Sequence, residues 1–182
     1  MNRKLKLWEL NRPSVEDFKK AEKFPIVLVL DNIRSLSNVG TFFRTGDAFN
    51  VKKIYICGIT AQPPHREIQK TALGATESVE WEYVEAIDEL VTRLKEEGFT
   101  ICAVEQTEET TALQHLDVRT DNKYALIMGN EVEGVQQTVI DASDWIIEVP
   151  QYGTKHSLNV SVCAGVVLWE IVRVFAEEKK SS

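Results

Sequence analysis

Two kinds of apolar run alternate along the chain. Short blocks in which nearly every residue is apolar occur at "PIVLVLD" (Pro25 to Asp31), "KIYICG", "TICAVEQ", "YALIMGN" and "WIIEVP". Each is compact and bounded by polar or turn residues, so each predicts a buried strand. Continuous rather than alternating apolar strands suit a parallel sheet covered on both faces. Between and around them, "SVEDFKKAEKF", "NVGTFFRTGDAF", "AIDELVTRLKEEG", "VQQTVIDAS" and the C-terminal "SLNVSVCAGVVLWEIVRVFAEEKK" predict helices. Ser14 is placed to cap the first, with Asp17 three residues on in the capping-box position. Gly98 suits the end of the third. Strands alternating with helices make this an α/β chain with a largely parallel sheet and helices on both faces.

Composition narrows the picture without changing it. At 182 residues, 43% apolar and 27% charged, the chain has the makeup of one globular domain. Its longest apolar-rich run, Val160 to Phe175, is broken by Ser161, Gly165, Glu170 and Arg173, which makes it a poor membrane span. The N-terminus lacks the continuous apolar centre of a secretory signal. Cys57, Cys102 and Cys163 are widely spaced among apolar residues, a pattern expected of buried, reduced thiols in a cytoplasmic protein. The net charge of −7 points away from bulk electrostatic binding of nucleic acid. The charge is uneven, however: Arg3, Lys4, Lys6 and Arg12 oppose only Glu9 at the start, and Lys19, Lys20 and Lys23 follow. A basic face remains open beside the plainer reading of a solvated terminus.

In open α/β sheets ligands bind beyond the carboxyl ends of the strands. The exits to inspect are therefore "DNIRSLSN", "VEQTEE", "GNEVEG" and "PQYGTKHSLN", which together offer one polar pocket. No GxGxxG, GxxxxGK[ST] or HExxH pattern is present, and His65, His115 and His156 share no metal-ligand spacing, so no metal is expected. Gly129 suits either a ligand approaching the backbone or a turn after its strand. Glu131 can accept hydrogen bonds from a substrate or a neighbouring loop, or stand exposed in a plain turn. Asn38 is placed to cap the helix it opens. Arg44 suits a phosphate, or an ion pair with Asp47 or Asp31.

Three of these segments, "NVGTFFRTGDAF", "LIMGNEVEGV" and "VPQYGTKHSLNVSVCAG", together resemble the three motifs of the SPOUT-superfamily RNA 2′-O-ribose methyltransferases of the TrmH/SpoU type. The resemblance runs from about Pro25 to Arg173, and "KTALGATESV" is also similar to a stretch of that family. It implies a SPOUT methyltransferase domain at 25–178, after an N-terminal helical extension at 1–24 and before a frayed tail at 179–182. It also implies a C-terminal trefoil knot and a homodimer with an active site built from both subunits. The cofactor implied is S-adenosylmethionine, held at Gly129, Val149 and Leu158, with Val104 near the adenine. Asn38, Arg44, Glu131, Ser157 and Asn159 match the family's polar active-site positions. Arg44 would orient a phosphate and stabilise the attacking oxygen, a safer role than base for a guanidinium. Leu36 stands where the family often has proline, and Gly46 where it often has alanine. The substrate implied is RNA, tRNA before rRNA. A methylation-inactive knotted RNA-binding or assembly protein is the alternative.

Overall fold

In the computed structural model of the chain, which describes residues 2–181, the expected strands and helices form and four short elements join them. In chain order they are α1 (Val15–Lys20), β1 (Phe24–Asp31), α2 (Leu36–Ala48), β2 (Val51–Cys57), α3 (Arg66–Ala72), α4 (Ala75–Ser78) and β3 (Trp81–Val84). Next come α5 (Ile87–Glu96), β4 (Phe99–Val104), β5 (Thr111–Ala112), β6 (Lys123–Met128), α6 (Gln137–Ala142), β7 (Trp145–Glu148) and α7 (Val160–Ser181). The elements absent from the sequence reading are α3, α4, β3 and β5. The strand β3 is only half-buried, and β5 is two residues long, so neither has an apolar block to announce it.

Among the described residues the strands make one parallel sheet in the order β3-β2-β1-β6-β4-β7-β5. Successive residues of β1 face opposite sides. Ile26, Leu28 and Leu30 join a core with Val39, Phe42 and Phe43 of α2 and Val167, Leu168 and Ile171 of α7. Val27 and Val29 join a second core with Leu90, Val91 and Leu94 of α5 and Val139 of α6. Both faces are therefore covered, which is why β1 and β6 read as unbroken apolar runs. Each fully buried Leu or Ile in these layers contributes about 1.5–3 kcal/mol.

Register fixes the position of the strand exits. Val104 lies opposite Met128 on one side and Ile147 on the other, so β4, β6 and β7 end level with one another. Glu105 and Gly129, which follow β4 and β6, and Glu148, the last residue of β7, are thereby brought to one rim.

At the N-terminus of α1 the Ser14 hydroxyl accepts the Asp17 N–H at 3.1 Å, as expected of the cap; the Asp17 carboxylate takes the Ser14 hydroxyl at 2.7 Å and not the Ser14 backbone N–H that would complete a capping box. The expectation for α2 is corrected. The helix begins at Leu36, and Ser35, not Asn38, is its cap; the Ser35 hydroxyl accepts the Asn38 N–H at 3.3 Å. The Asn38 amide is buried and engaged elsewhere. At the other end of the chain α7 runs through Ser181, and Lys179 bridges to Glu22 at 3.1 Å and lies over the Phe24 ring. No helix among the described residues is long and apolar enough to cross a membrane.

Candidate functional site

The loop after β6 folds back on itself. Asn130 and Gly134 exchange backbone hydrogen bonds at 3.0 and 2.9 Å, and the Asn130 side-chain oxygen accepts the N–H groups of Val132 and Glu133. A Cβ on Gly129 would come within 2.2 Å of the Val135 nitrogen and 2.3 Å of the Gly134 carbonyl carbon. The turn itself thus demands glycine there, whether or not a ligand also lies against the backbone.

Two other strand exits, those of β1 and β4, clamp this loop. The Asn130 side-chain N–H donates to the Asn32 carbonyl at 2.8 Å. Asp31, fully buried, accepts the Gln136 backbone N–H at 3.1 Å and its side-chain N–H at 2.7 Å, with Asn32 adding a bond at 2.9 Å. Burial pushes the Asp31 carboxyl up, and these donors only partly oppose it. Glu105 accepts the Val135 N–H at 2.9 Å and the Gln106 N–H at 2.8 Å. A Cβ on Gly134 would collide with that carboxylate, at 2.1 Å.

Glu131 turns away from its own loop to hold the segment before α2. Its carboxylate accepts the N–H groups of Arg34 (2.9 Å) and Ser35 (3.0 Å) and the Asn38 side-chain N–H (2.9 Å). Partial burial would raise its carboxyl, but these donors prevail and hold it below the usual carboxylate range. The chain of bonds continues through Asn38, whose oxygen faces the Asn159 side-chain N–H at 3.1 Å and the Ser161 hydroxyl at 3.3 Å. Asn159 in turn caps α7, accepting the N–H groups of Ser161 (3.0 Å) and Val162 (3.3 Å). The Ser161 hydroxyl lies 2.7 Å from the same oxygen. Glu131, Asn38, Asn159 and Ser161 are therefore one connected set joining a loop, the start of α2 and the start of α7.

Beside this set, beyond the ends of β4, β6 and β7, lies a cavity of about 370 Å³. Of the residues singled out from sequence, Val104, Gly129, Glu131, Val149, Ser157, Leu158 and Asn159 line it. Asn38 reaches it only through Glu131 and Asn159. Arg44 stands apart: it is exposed on α2, does not line the cavity, and makes no ion pair among the described residues. The pairings considered for it do not form, because Asp47 takes the Ser78 hydroxyl and Asp31 takes amides.

Glu105, Glu148 and Cys163 line the cavity without having been singled out as site residues. "VEQTEE" was marked as a strand exit, but only the fold shows that Glu105 reaches across to Val135. Ser161 was equally unmarked, although a hydroxyl just inside a capped helix is the one signal it offered. Burial pushes the Cys163 thiol up to about 11, with the Glu105 carboxylate adding to the effect, so it is an inert wall. Among the described residues no three His, Cys, Asp or Glu side chains converge as a metal site.

The cavity is lined by apolar side chains together with a few carboxylates and side-chain amides, the makeup of a small-molecule pocket. The model of the SpoU rRNA methylase family matches residues 25–169. A putative TrmH family tRNA/rRNA methyltransferase of Staphylococcus epidermidis is 29% identical over 155 residues, which are 85% of this chain and 61% of that protein; the chain thus spans about three fifths of that relative. The crystal structure of a TrmH/SpoU tRNA modifying enzyme from A. aeolicus superposes with a TM-score of 0.79 at 28% identity, covering 91% of this chain and 82% of that one. An S-adenosylmethionine-bound rRNA methyltransferase from Sinorhizobium meliloti shares the fold at a TM-score of 0.78 and 22% identity, covering 86% and 59%.

Proposed function

The chain belongs to the SpoU rRNA methylase family, and from that premise we propose that it transfers a methyl group from S-adenosylmethionine to a ribose 2′-hydroxyl of RNA, tRNA before rRNA. One observation carries the reading: side chains from all three motifs meet in a single hydrogen-bonded set, Glu131–Asn38–Asn159, at the edge of one cavity. The cofactor bound by the S. meliloti neighbour supports S-adenosylmethionine, and the A. aeolicus tRNA modifying enzyme supports tRNA.

S-adenosylmethionine supplies a methyl group on a positively charged sulfur, an electrophile that requires no metal. Val104, Val149 and Leu158 would flank its flat base, and the backbone at Gly129 would run beside it. A cavity of about 370 Å³ lies within the usual range for such ligands. The protein's task is alignment of the two reactants and removal of the hydroxyl proton. Ser157, exposed on the cavity wall, positions the ribose. Glu131, Asn38 and Asn159 act through one another and hold the wall in place. Arg44, in no ion pair among the described residues, orients the phosphate beside the ribose and stabilises the developing oxyanion.

The same reading makes the enzyme a cytoplasmic homodimer with a composite site, and threads its C-terminal segment through a trefoil knot. Two features support the dimer. Val162, Val166 and Trp169 form a stripe on α7 that is 55%, 41% and 58% exposed. Arg44 does not line the cavity of its own protomer, as expected of a residue that completes a partner's site. The division into an N-terminal helical extension at 1–24, a methyltransferase domain at 25–178 and a tail at 179–182 belongs to this reading too.

Calorimetry with S-adenosylmethionine and transfer of labelled methyl to bulk tRNA and rRNA test the proposal, with digestion to nucleosides to locate the label. A 2′-O-methylated nucleoside is expected, and Arg44→Ala should abolish transfer while leaving RNA binding intact. Label on a base, or neither binding nor transfer, would overturn it. Equal RNA binding with no transfer by wild type or Arg44→Ala would favour the inactive RNA-binding alternative.

A further inference from the structure

Residues 1–24 lie outside the stretch matched by the family model and differ in kind from the rest of the chain. They hold seven Lys or Arg against four Asp or Glu, a net of +3, so residues 25–182 carry −10 within the overall −7. One of the four acids is already neutralised: Arg3 donates twice to the Glu9 carboxylate, at 3.0 and 2.8 Å, and the Lys6 N–H adds a bond at 2.7 Å. Lys4, Arg12, Lys19 and Lys20 are all exposed.

Cations alone would suit a solvated terminus. Here they are interleaved with an indole that is 75% exposed, Trp8, and with exposed Leu5 and Leu10. The Lys6 ammonium stands 5.0 Å above the Trp8 ring, so charge and ring already share one surface. Exposed aromatic rings among cations are what a single-stranded stretch of nucleic acid meets, phosphates on the charges and a base on the ring.

The segment is anchored. Phe18 is buried, Lys23 lies over its ring and donates to the Asn50 side chain at 2.9 Å, and Glu22 bridges to Lys179. A groove between α1 and the α4–β3 junction extends the surface, lined by Lys19, Lys23 and Lys52, with Glu77 and Glu80 on its far wall. Glu80 is spent on Lys53 at 2.8 Å. The end of α1, its anchor at Lys23 and this groove sit at the amino ends of the strands, away from the cavity at their carboxyl ends.

We infer that the N-terminal segment is an RNA-gripping surface, in which Lys4, Arg12, Lys19 and Lys20 take phosphates and Trp8 takes a base. It holds the substrate at a distance from the reacting ribose, and only that last clause rests on the proposed methyl transfer. The net −10 of residues 25–182 then disfavours RNA docking in other orientations.

The test uses full-length protein and bulk tRNA, with affinity followed by fluorescence anisotropy over a series of salt concentrations. Lys4→Gln with Arg12→Gln should weaken binding about 10-fold at low salt and flatten the slope of log affinity against log salt by about 1.5. Lys95→Gln with Arg119→Gln removes the same charge elsewhere and should leave the slope as in wild type. Trp8→Ala should weaken binding about 10-fold at every salt concentration with the slope unchanged. In transfer assays the arm variants should raise KM for RNA and spare kcat. A wild-type slope in the Lys4/Arg12 variant, or an equal change in the Lys95/Arg119 variant, would overturn the inference. So would a fall in sedimenting mass for Trp8→Ala, which would make the surface an interface between copies. Calorimetry with S-adenosylmethionine on the same samples reports separately on the proposed reaction, so the two can fail independently.

Discussion

Glu131 and Gly129 show how little of this site is chosen for the ligand alone. Glu131 uses its carboxylate on three N–H groups of its own chain. In Glu131→Gln one oxygen becomes a donor that faces another donor, so S-adenosylmethionine affinity should fall at least about 10-fold by calorimetry. The pH dependence has a definite sign. A carboxyl held low in the folded state stabilises the clasp fully above its ordinary, unfolded pKa, and that stability is lost as pH falls through the lowered folded value. Cofactor affinity should therefore be flat near neutrality and fall on the acid side, and Glu131→Gln should remove that acid limb. Gly129→Ala places a methyl group 2.2 Å from the Val135 nitrogen. It should destabilise the chain by about 1–3 kcal/mol in urea titrations, with the cavity lost before the fold. Sequence reasoning found both residues and offered a turn as one reason for Gly129, but the contact that makes glycine obligatory there is visible only once the turn has folded.

At the scale of elements, the start of α7 joins the polar loop to the apolar helix. Asn159 performs two separable tasks there: its oxygen caps the helix and its N–H group holds Asn38. Asn159→Ala should cost about 1 kcal/mol of stability, the usual worth of a cap. Asn159→Asp keeps the capping oxygen and removes the donor, so it should fold with near wild-type stability yet transfer methyl groups at least about 10-fold more slowly. Those two results together would separate capping from alignment. The long buried strands and their helices were legible as blocks, whereas β3, β5, α3 and α4 were not, being too short or too exposed to leave a period. The cap of α2 was misplaced because Ser35, Ser37 and Asn38 are all competent caps. The choice of Ser35 was settled by Glu131 drawing the Asn38 amide away, from 93 residues along the chain.

Across the whole molecule, charge and apolar surface are sorted to different places. The basic excess sits in the first 24 residues, and the exposed apolar stripe of α7 stands beside α2, where Thr45 lies 3.9 Å from a Cβ built on Gly165. If that stripe is the seam between two copies, Val166→Glu with Trp169→Glu should convert a dimer to a monomer by analytical ultracentrifugation. Methyl transfer should fall with it, because Arg44 would lose the cavity it completes. The imbalance in charge was readable from the sequence, and so was the excess of apolar surface on the last helix. Which face of that helix remained bare was not, since it depends on α2 and the sheet covering the others.

The clasp of Glu131, Asn38 and Asn159 has a consequence for inheritance. Because these side chains hold the chain's own loops, a descendant that had abandoned the reaction would still be under pressure to keep them. Their presence in a sequence therefore testifies to the fold of the site, and Arg44 to its use. Arg44 is in the opposite position, since it bonds to no carboxylate of the described chain and its loss would leave the clasp intact. Among relatives, a lapsed methyltransferase should thus be recognisable by a missing arginine within an otherwise faithful set of motifs.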